Sequence, residues 1–280
     1  MAEAKYCGHD SRARPIPYDD LPTIAKNLKR FKKTGKSDES TLGFVLSEAD
    51  LSGFILCPHY FDPKIEKELA DLEETHELFR LGDLVNTGTL EVRTGDELGK
   101  LSYGTGDIPF IRTSDISNWE IKYDAKHGVE RDLFLRFKNK QDVRPYDILM
   151  VRDGTYLIGT CAIITEEDCE IVYQSHIYKI RVNYNKNGIT SSLLLAVLSS
   201  PVVQRQIRAK RFTQDIIDTL GERIFELILP FPKATSEREE ISGLVEAVIE
   251  KRGEARHIAQ KARERVGGKS GNMFAVRNIE

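Results

Sequence analysis

The 280-residue chain has little cysteine, little tryptophan and almost no net charge: four Cys, one Trp, and 41 Lys+Arg against 44 Asp+Glu, a formal charge of −3. Four unevenly spaced cysteines in a chain this long do not make a disulfide framework, so a reducing cytoplasm is the expected setting. No apolar stretch approaches the roughly 20 residues that a membrane-spanning helix requires. No basic-then-apolar leader opens the chain, so no secretory signal is expected. Near-neutral charge argues against coating nucleic acid by bulk charge, but leaves room for a local basic face. Several chemical motifs are missing too. There is no Asn-Pro-Pro-Tyr or Asp-Pro-Pro-Tyr set to hold a flipped adenine, no glycine-rich strand–helix turn for S-adenosylmethionine, and no Gly-x-x-x-x-Gly-Lys-Ser/Thr phosphate loop. The 40% of residues that are apolar suffice for one large domain or two modest ones.

Residues 1–76 read as a polar, partly helical N-terminal extension. Cys7-Gly8-His9-Asp10-Ser11-Arg12 is turn-like, Leu21 to Phe31 has a helical stripe (Leu21, Ile24, Ala25, Leu28), and Lys32 to Ser40 is a hydrophilic connector. Asp62-Pro63 offers an N-cap followed by proline at the first helical position, starting a helix through Ile65, Leu69 and Leu72 to about His76.

Over residues 77–233 the texture becomes α+β. Strands are expected at Ile108–Arg112, Leu133–Phe137, Ile148–Arg152, Leu157–Ile164 and His176–Val182, with Asp153-Gly154 as a hairpin turn and Asn187-Gly188 in a loop. Ser191–Leu198 and Val202–Arg211 look helical, with Pro201 in the first turn of the second. The apolar run Ile224–Leu229 is expected to stop at Pro230-Phe231-Pro232.

Residues 234–266 form the third region, ahead of a loose tail at 267–280. Ser236 and Glu239 make a capping box, and Ile241, Val248, Ala255 and Ala262 fall seven residues apart. Leu244, Val245, Ile258, Ala259 and Val266 widen that seam, while Gly243 and Gly253 weaken it by about 1 kcal/mol each relative to Ala. A sustained seven-residue repeat predicts a coiled-coil-like helix, about 45 Å long, that packs along another helix.

Six segments now matter in their order: Arg80-Leu81-Gly82-Asp83-Leu84; Gly106 through Ile116; Tyr146 through Gly154; Ile158-Gly159; Leu193 to Ser200; and Ile228-Leu229-Pro230-Phe231-Pro232, directly before the long helix. In this order they resemble a target recognition domain of the type I restriction–modification DNA specificity subunits, over about residues 79–266. The glycines in them (Gly82, Gly106, Gly154, Gly159) are expected to permit turns or close backbone approach. The chain departs from that family in having one recognition domain and one long helix, which makes it look like a half-subunit, and in Glu240 where a Gln usually precedes the helix-opening Ile. The segment Cys7 to Arg12 is also similar to the tail behind the catalytic domain of some adenine-N6 DNA methyltransferases, which implies the C-terminal part of a fused methyltransferase–specificity protein.

The resemblance implies a DNA-binding specificity subunit without catalysis or cofactor of its own. Its partners would be double-stranded DNA, an adenine-N6 methyltransferase subunit, a restriction subunit, and a second copy through the 236–266 helix, along Ile241, Leu244, Val248, Ala255, Ile258 and Ala262. DNA contact calls for basic, amide and hydroxyl groups on exposed elements. Three regions qualify: Arg112 and Thr113, with Lys122 and Tyr123 after them; the basic run holding Arg136 and Lys138; and Arg205, Arg208, Lys210 and Arg211, interleaved with Gln204 and Gln206 and followed by Thr213 and Gln214. The last is the preferred contact.

Two other readings compete. Asp107 or Asp115 with Glu120 and Lys122 imitates the acidic-and-lysine set of a metal-dependent nuclease, and the third reading is a protein–protein adaptor that has lost DNA binding. Cys7-x-His9 and Cys57-x-His59 count four zinc-type donors, but their one-residue gaps are tighter than structural zinc spacings, so no metal site is expected.

Overall fold

The computed structural model describes residues 1–36, 42–48, 51, 55–122, 125–154, 156–214 and 217–267. It divides into two compact units, Met1–Glu68 and Leu69–Glu280. Among the described residues no helix is long and apolar enough to cross a membrane.

In the first unit the strands β1 (Cys7–His9) and β2 (Pro15–Asp19) pair antiparallel, so the expected turn at Cys7 begins as strand. The turn itself lies beyond it, where the Asp10 carboxylate accepts from the Arg12 and Arg14 amides. Helix α1 (Leu21–Thr34) follows and closes on Gly35, whose φ of 66° is free of cost only without a side chain. The connector predicted over Lys32–Ser40 thus starts later, and residues 37–40 lie outside the described ones. Helix α2 (Pro63–Leu72) begins at the expected proline but stops short of His76.

The second unit is α+β. Its elements are β3 (His76–Arg80), α3 (Leu81–Asn86), β4 (Leu90–Thr94), β5 (Phe110–Ile111), β6 (Ile116–Ser117), β7 (Glu120–Ile121), α4 (Arg131–Gln141), β8 (Ile148–Val151), β9 (Asp153–Gly154) and β10 (Cys161–Ile163). There follow β11 (Val172–Tyr173), β12 (Ile177–Val182), α5 (Ser191–Ser199), α6 (Pro201–Lys210), β13 (Phe212–Gln214), β14 (Ile217–Thr219), β15 (Ile228–Pro232) and α7 (Thr235–Gly267). The central antiparallel sheet runs β10-β8-β12-β4. Strand β8 is apolar at every position because both of its faces are covered: Ile148 and Met150 face one cluster with α5 and α6, and Leu149 and Val151 face another with Ile111, Ile121 and Tyr173.

Four expectations fail here for physical reasons. Leu133–Phe137 is helix, not strand: Leu133, Phe134, Phe137 and Gln141 recur at helical spacing, Phe134 is buried, and Asp132 and Lys138 sit at the ends that favour their charges. Asp153-Gly154 is no hairpin turn; it pairs with Asp218 and Thr219 as a short strand, and the chain turns later, where the Gly159 amide donates to Val151 O. The strands at Ile108 and Leu157 shorten to Phe110–Ile111 and Cys161–Ile163. The two prolines after Ile228 do not stop the run, because β15 passes through both and pairs with β3. The Ile228 N–H points away from β3, into the Gln206 side chain, and Pro230 and Pro232 share its parity, so neither lacks an N–H the pair needs.

Candidate nucleic-acid interface and partner helix

Helix α6 turns Val202, Val203, Gln206, Ile207 and Ala209 inward, which leaves Arg208 fully on the outside. Among the described residues Arg208 forms no ion pair. Its neighbours are partly committed: Lys210 bonds Glu226 at 2.9 Å, Arg211 Nε lies 3.8 Å from Asp218, and Arg205 is half-buried. The interleaved glutamines hold the fold. Gln204 Nε2 donates to Gly159 O (2.9 Å) and Leu198 O (2.8 Å), and Gln206 bonds both backbone groups of Ile228. Gly159 has φ 86°, and a Cβ there would lie 3.0 Å from Ile207, so the loop before β10 is seated directly on α6.

Behind α6, β13 and β14 form a hairpin whose second strand pairs with β9. Thr213 is exposed and donates to Asp218 Oδ1 at 2.7 Å, and the Arg223 guanidinium lies 4.3 Å over the Phe212 ring. The β14–β9 pairing anchors the chain just ahead of Tyr156, an aromatic ring 88% exposed. Arg208, Arg211, Thr213 and Tyr156 therefore sit on adjoining elements: a helix, its following hairpin and the loop tied to both. A cationic, hydroxyl-bearing and aromatic surface of this kind is suited to phosphate, base-edge and stacking contacts.

The other predicted contacts lie on different elements. Arg112 is occupied internally: its Nε and Nη2 bond Asp115 at 3.1 and 2.9 Å, and Nη1 lies 2.9 Å from His127 Nε2. Thr113 opens the short turn that this ion pair closes, and Lys122 is exposed after β7, its amide bonded to Asp115 O. Tyr123 lies outside the described residues, and so does the Gln214 side chain. Arg136 and Lys138 occupy the solvent face of α4, with Lys138 Nζ 5.8 Å from the Phe134 ring centre. That helix packs on β11, whereas α6 packs on α5 and β15.

Two carboxylates of the nuclease set are engaged by arginines. Asp115 is held by Arg112, and Glu120 faces Arg252 and Arg256, each at 3.9 Å. Among the described residues no group of three or more His, Cys, Asp and Glu could hold a metal ion. Cys57 Sγ lies 3.4 Å from His59 Nδ1, its thiol raised by burial and by Glu3, and Cys7 Sγ donates to His9 O. Cys161 is a buried thiol pushed up to about 12 by desolvation, a packing residue.

Helix α7 has 33 residues, starting one residue before the expected cap. It carries two seams. Ile241, Val245 and Ile249 pack into the core with α5 and β15; Val245 is 2% exposed. Ser242 and Glu246 extend this line by bonding Thr190 and Ser192. Farther on the same line turns ionic, with Arg256 3.3 Å from Asp168 and Arg252 and Arg256 beside Glu120. His257 meets Glu167 at 3.1 Å. The second seam lies about a quarter-turn round the helix. Leu244 and Ile258 are exposed by 63% and 67%, Ala255 and Ala262 are also exposed, and Val248 is half-buried. Of the six predicted partner residues, only Ile241 is spent on the chain's own core.

Solved structures similar to this chain include two type I restriction–modification specificity subunits and a type IIG restriction endonuclease. The S subunit from M. genitalium is 14% identical over 69% of this chain and 45% of that one, with a TM-score of 0.47. The HsdS subunit from Thermoanaerobacter tengcongensis is 14% identical over 70% and 46%, with a TM-score of 0.38. The type IIG restriction endonuclease BpuSI is 11% identical over 66% and 28%, with a TM-score of 0.46. The chain thus spans a little under half the length of the two S subunits. No protein-family model and no curated protein matches it.

Sequence reasoning missed Tyr156 and the docking role of Arg252, Arg256 and Trp119. The Gly154-Thr155-Tyr156 run was the available signal for the first. Trp119 had none: it sits at φ 66° after Asn118 at φ 50°, in the two-residue turn between β6 and β7, and its indole N–H donates to Ser199 Oγ at 2.8 Å.

Proposed function

We propose that the chain is a sequence-specific DNA-binding specificity subunit that directs an adenine-N6 DNA methyltransferase, and its associated restriction activity, to a split DNA site. Residues 77–233 act as the reading head and residues 234–266 as the rod. Catalysis is borrowed from a partner chain, in the cytoplasm.

One observation carries this reading: α7 is docked on its own head along one line while a second apolar line, Leu244, Val248, Ala255, Ile258 and Ala262, stays open at alternating three- and four-residue intervals or their sums. A helix that only filled a core would need one line. The open line supports pairing with a second long helix, from another copy or from a fused partner. Thirty-three residues at 1.5 Å each give about 50 Å, more than one DNA turn of roughly 35 Å, which suits two heads reading half-sites across a spacer. Base discrimination is assigned to the α6–hairpin–Tyr156 surface, with Arg208 as its free cation, and Arg136, Lys138 and Lys122 are left for phosphates.

Mapping methylated adenines in cells with and without the gene tests the reading. A set of two-part sites that loses methylation is expected, and an unchanged methylation map would refute it.

A further inference from the structure

A second basic surface lies outside the head. From Leu21 to Lys36 the chain holds Lys26, Lys29, Arg30, Lys32, Lys33 and Lys36 and no acidic residue. Within α1, Lys26, Lys29, Arg30 and Lys33 stand at i, i+3, i+4 and i+7, so they share one face, about 10 Å long. All four are exposed, and among the described residues Lys26, Lys29 and Lys33 form no ion pair. The opposite face is the apolar one: Ile24 and Phe31 are half-buried and line one groove with Phe44 and Leu46.

Cations near a helix C-terminus offset its dipole, which accounts for Lys32 and Lys33. It does not account for Lys26 and Lys29 in the middle, and no carboxylate four residues away repays them with a surface pair. A helix lying on a membrane would need its apolar face free to enter the lipid, and here Ile24 and Phe31 are turned toward residues of their own unit. Duplex DNA presents one phosphate per ~3.4 Å of rise on each strand, so a cationic stripe about 10 Å long can meet more than one of them. Lysines act as point charges without base preference, which fits phosphates rather than base edges.

We infer that the Lys26, Lys29, Arg30 and Lys33 face of α1 is a sequence-independent binding surface for the phosphate backbone of duplex DNA. It rests on the DNA-binding reading above and adds a second contact to it.

The test uses the full chain and a 30-base-pair duplex of arbitrary sequence, with affinity followed by fluorescence anisotropy between 50 and 300 mM salt. The triple variant Lys26→Gln/Lys29→Gln/Lys33→Gln should bind about tenfold or more weakly at the lowest salt. Its slope of log affinity against log salt should be shallower by about 2 to 3, near 0.9 per lost contact. The matching triple Lys→Arg variant should restore both, and circular dichroism should show all three proteins equally helical. Equal affinity and slope for wild type and the Gln variant would overturn the inference and leave the specificity reading intact. Binding to phosphatidylserine vesicles that is lost in the Gln variant while DNA affinity holds would overturn it in favour of a membrane. A wild-type chain with no duplex affinity at 50 mM salt would overturn both readings.

Discussion

The two halves of α7 obey one sequence pattern and do different work. From Thr235 to Ile249 the helix is held by burial: Val245 is sealed, and Ile241 and Ile249 pack beside it. From Glu250 onward its contacts to the head are ionic, through Arg252, Arg256 and His257, while Ala255, Ile258 and Ala262 face solvent. The first half is part of the fold, and the second is a rod whose apolar side has no cover among the described residues. The difference shows why a seven-residue repeat cannot be read as one interface. A helix has room for two seams, and only the shape of what lies beside it decides which is filled.

The largest effect should come from the sealed seam. Val245→Asp places a carboxylate where water is excluded and should cost about 3 kcal/mol or more of unfolding free energy, read by urea denaturation. A loss below about 1 kcal/mol would mean the first half is not anchored as described. The open seam should behave oppositely. Leu244→Glu with Ile258→Glu, both well exposed, should leave that midpoint nearly unchanged and abolish self-association or methyltransferase capture. Scattering mass and pull-down unchanged by the pair would remove the spacer role.

A smaller effect separates buried from exposed ion pairs. Within the head, Arg181 bonds Asp142 and Asp147 at 2.7 Å, and the buried Lys179 ammonium donates to the Gln141 and Asp142 carbonyls. Burial raises the Asp142 carboxyl, but hydrogen bonds and charge from Arg144 and Arg181 outweigh it and hold the group at about 2. A carboxyl held below its ordinary 3.8 adds stability that is complete above that value and is lost as pH falls from about 4 toward 2. Asp142→Asn, tolerated at its φ of 44°, should flatten this part of the stability–pH curve; a curve of unchanged steepness would show that Asp142 does not carry it.

The smallest effect belongs to the rod's ionic line. Arg252→Gln, which breaks a pair about one-third exposed on both sides, should cost no more than about 1 kcal/mol and lose even that in 1 M salt. The chain's single tryptophan, Trp119, borders Ile249, Arg252 and Arg256, so its emission should report loosening of the rod. Emission identical in low and high salt would show that the ion pairs do not hold it. At the interface itself, Arg208→Ala should weaken duplex binding several-fold and lower the salt slope by about one. Unchanged binding would remove Arg208 from the contact surface.

Much of the fold was legible because local signals agreed with their surroundings: Pro63 and Pro201 opened helices, and the unbroken apolar run at Ile148 became a strand buried on both faces. Leu133–Phe137 misled because five residues of mixed apolar and basic character fit either period, and the wider span settles it, with Gln141 at helical spacing and Asp132 and Lys138 at the ends. The candidate site was less legible. A guanidinium in a sequence is equally a phosphate clamp or an internal brace, and Arg112 proved a brace while Arg208 stayed outside.

What the sequence alone determined was the helices opened by Pro63 and Pro201, the apolar strand at Ile148 and the heptad line of the last helix, since propensity, capping and periodicity are properties of neighbours in the chain. Only the tertiary structure decided which side of that helix is spoken for, which arginines are occupied, and that α6, the β13–β14 hairpin and Tyr156 share a surface. Docking of the last helix and the β9–β14 pairing depend on residues far apart in the chain coming within a few ångströms, as Thr190 and Ser242 or Glu120 and Arg256 do, and no local preference encodes a partner at that distance.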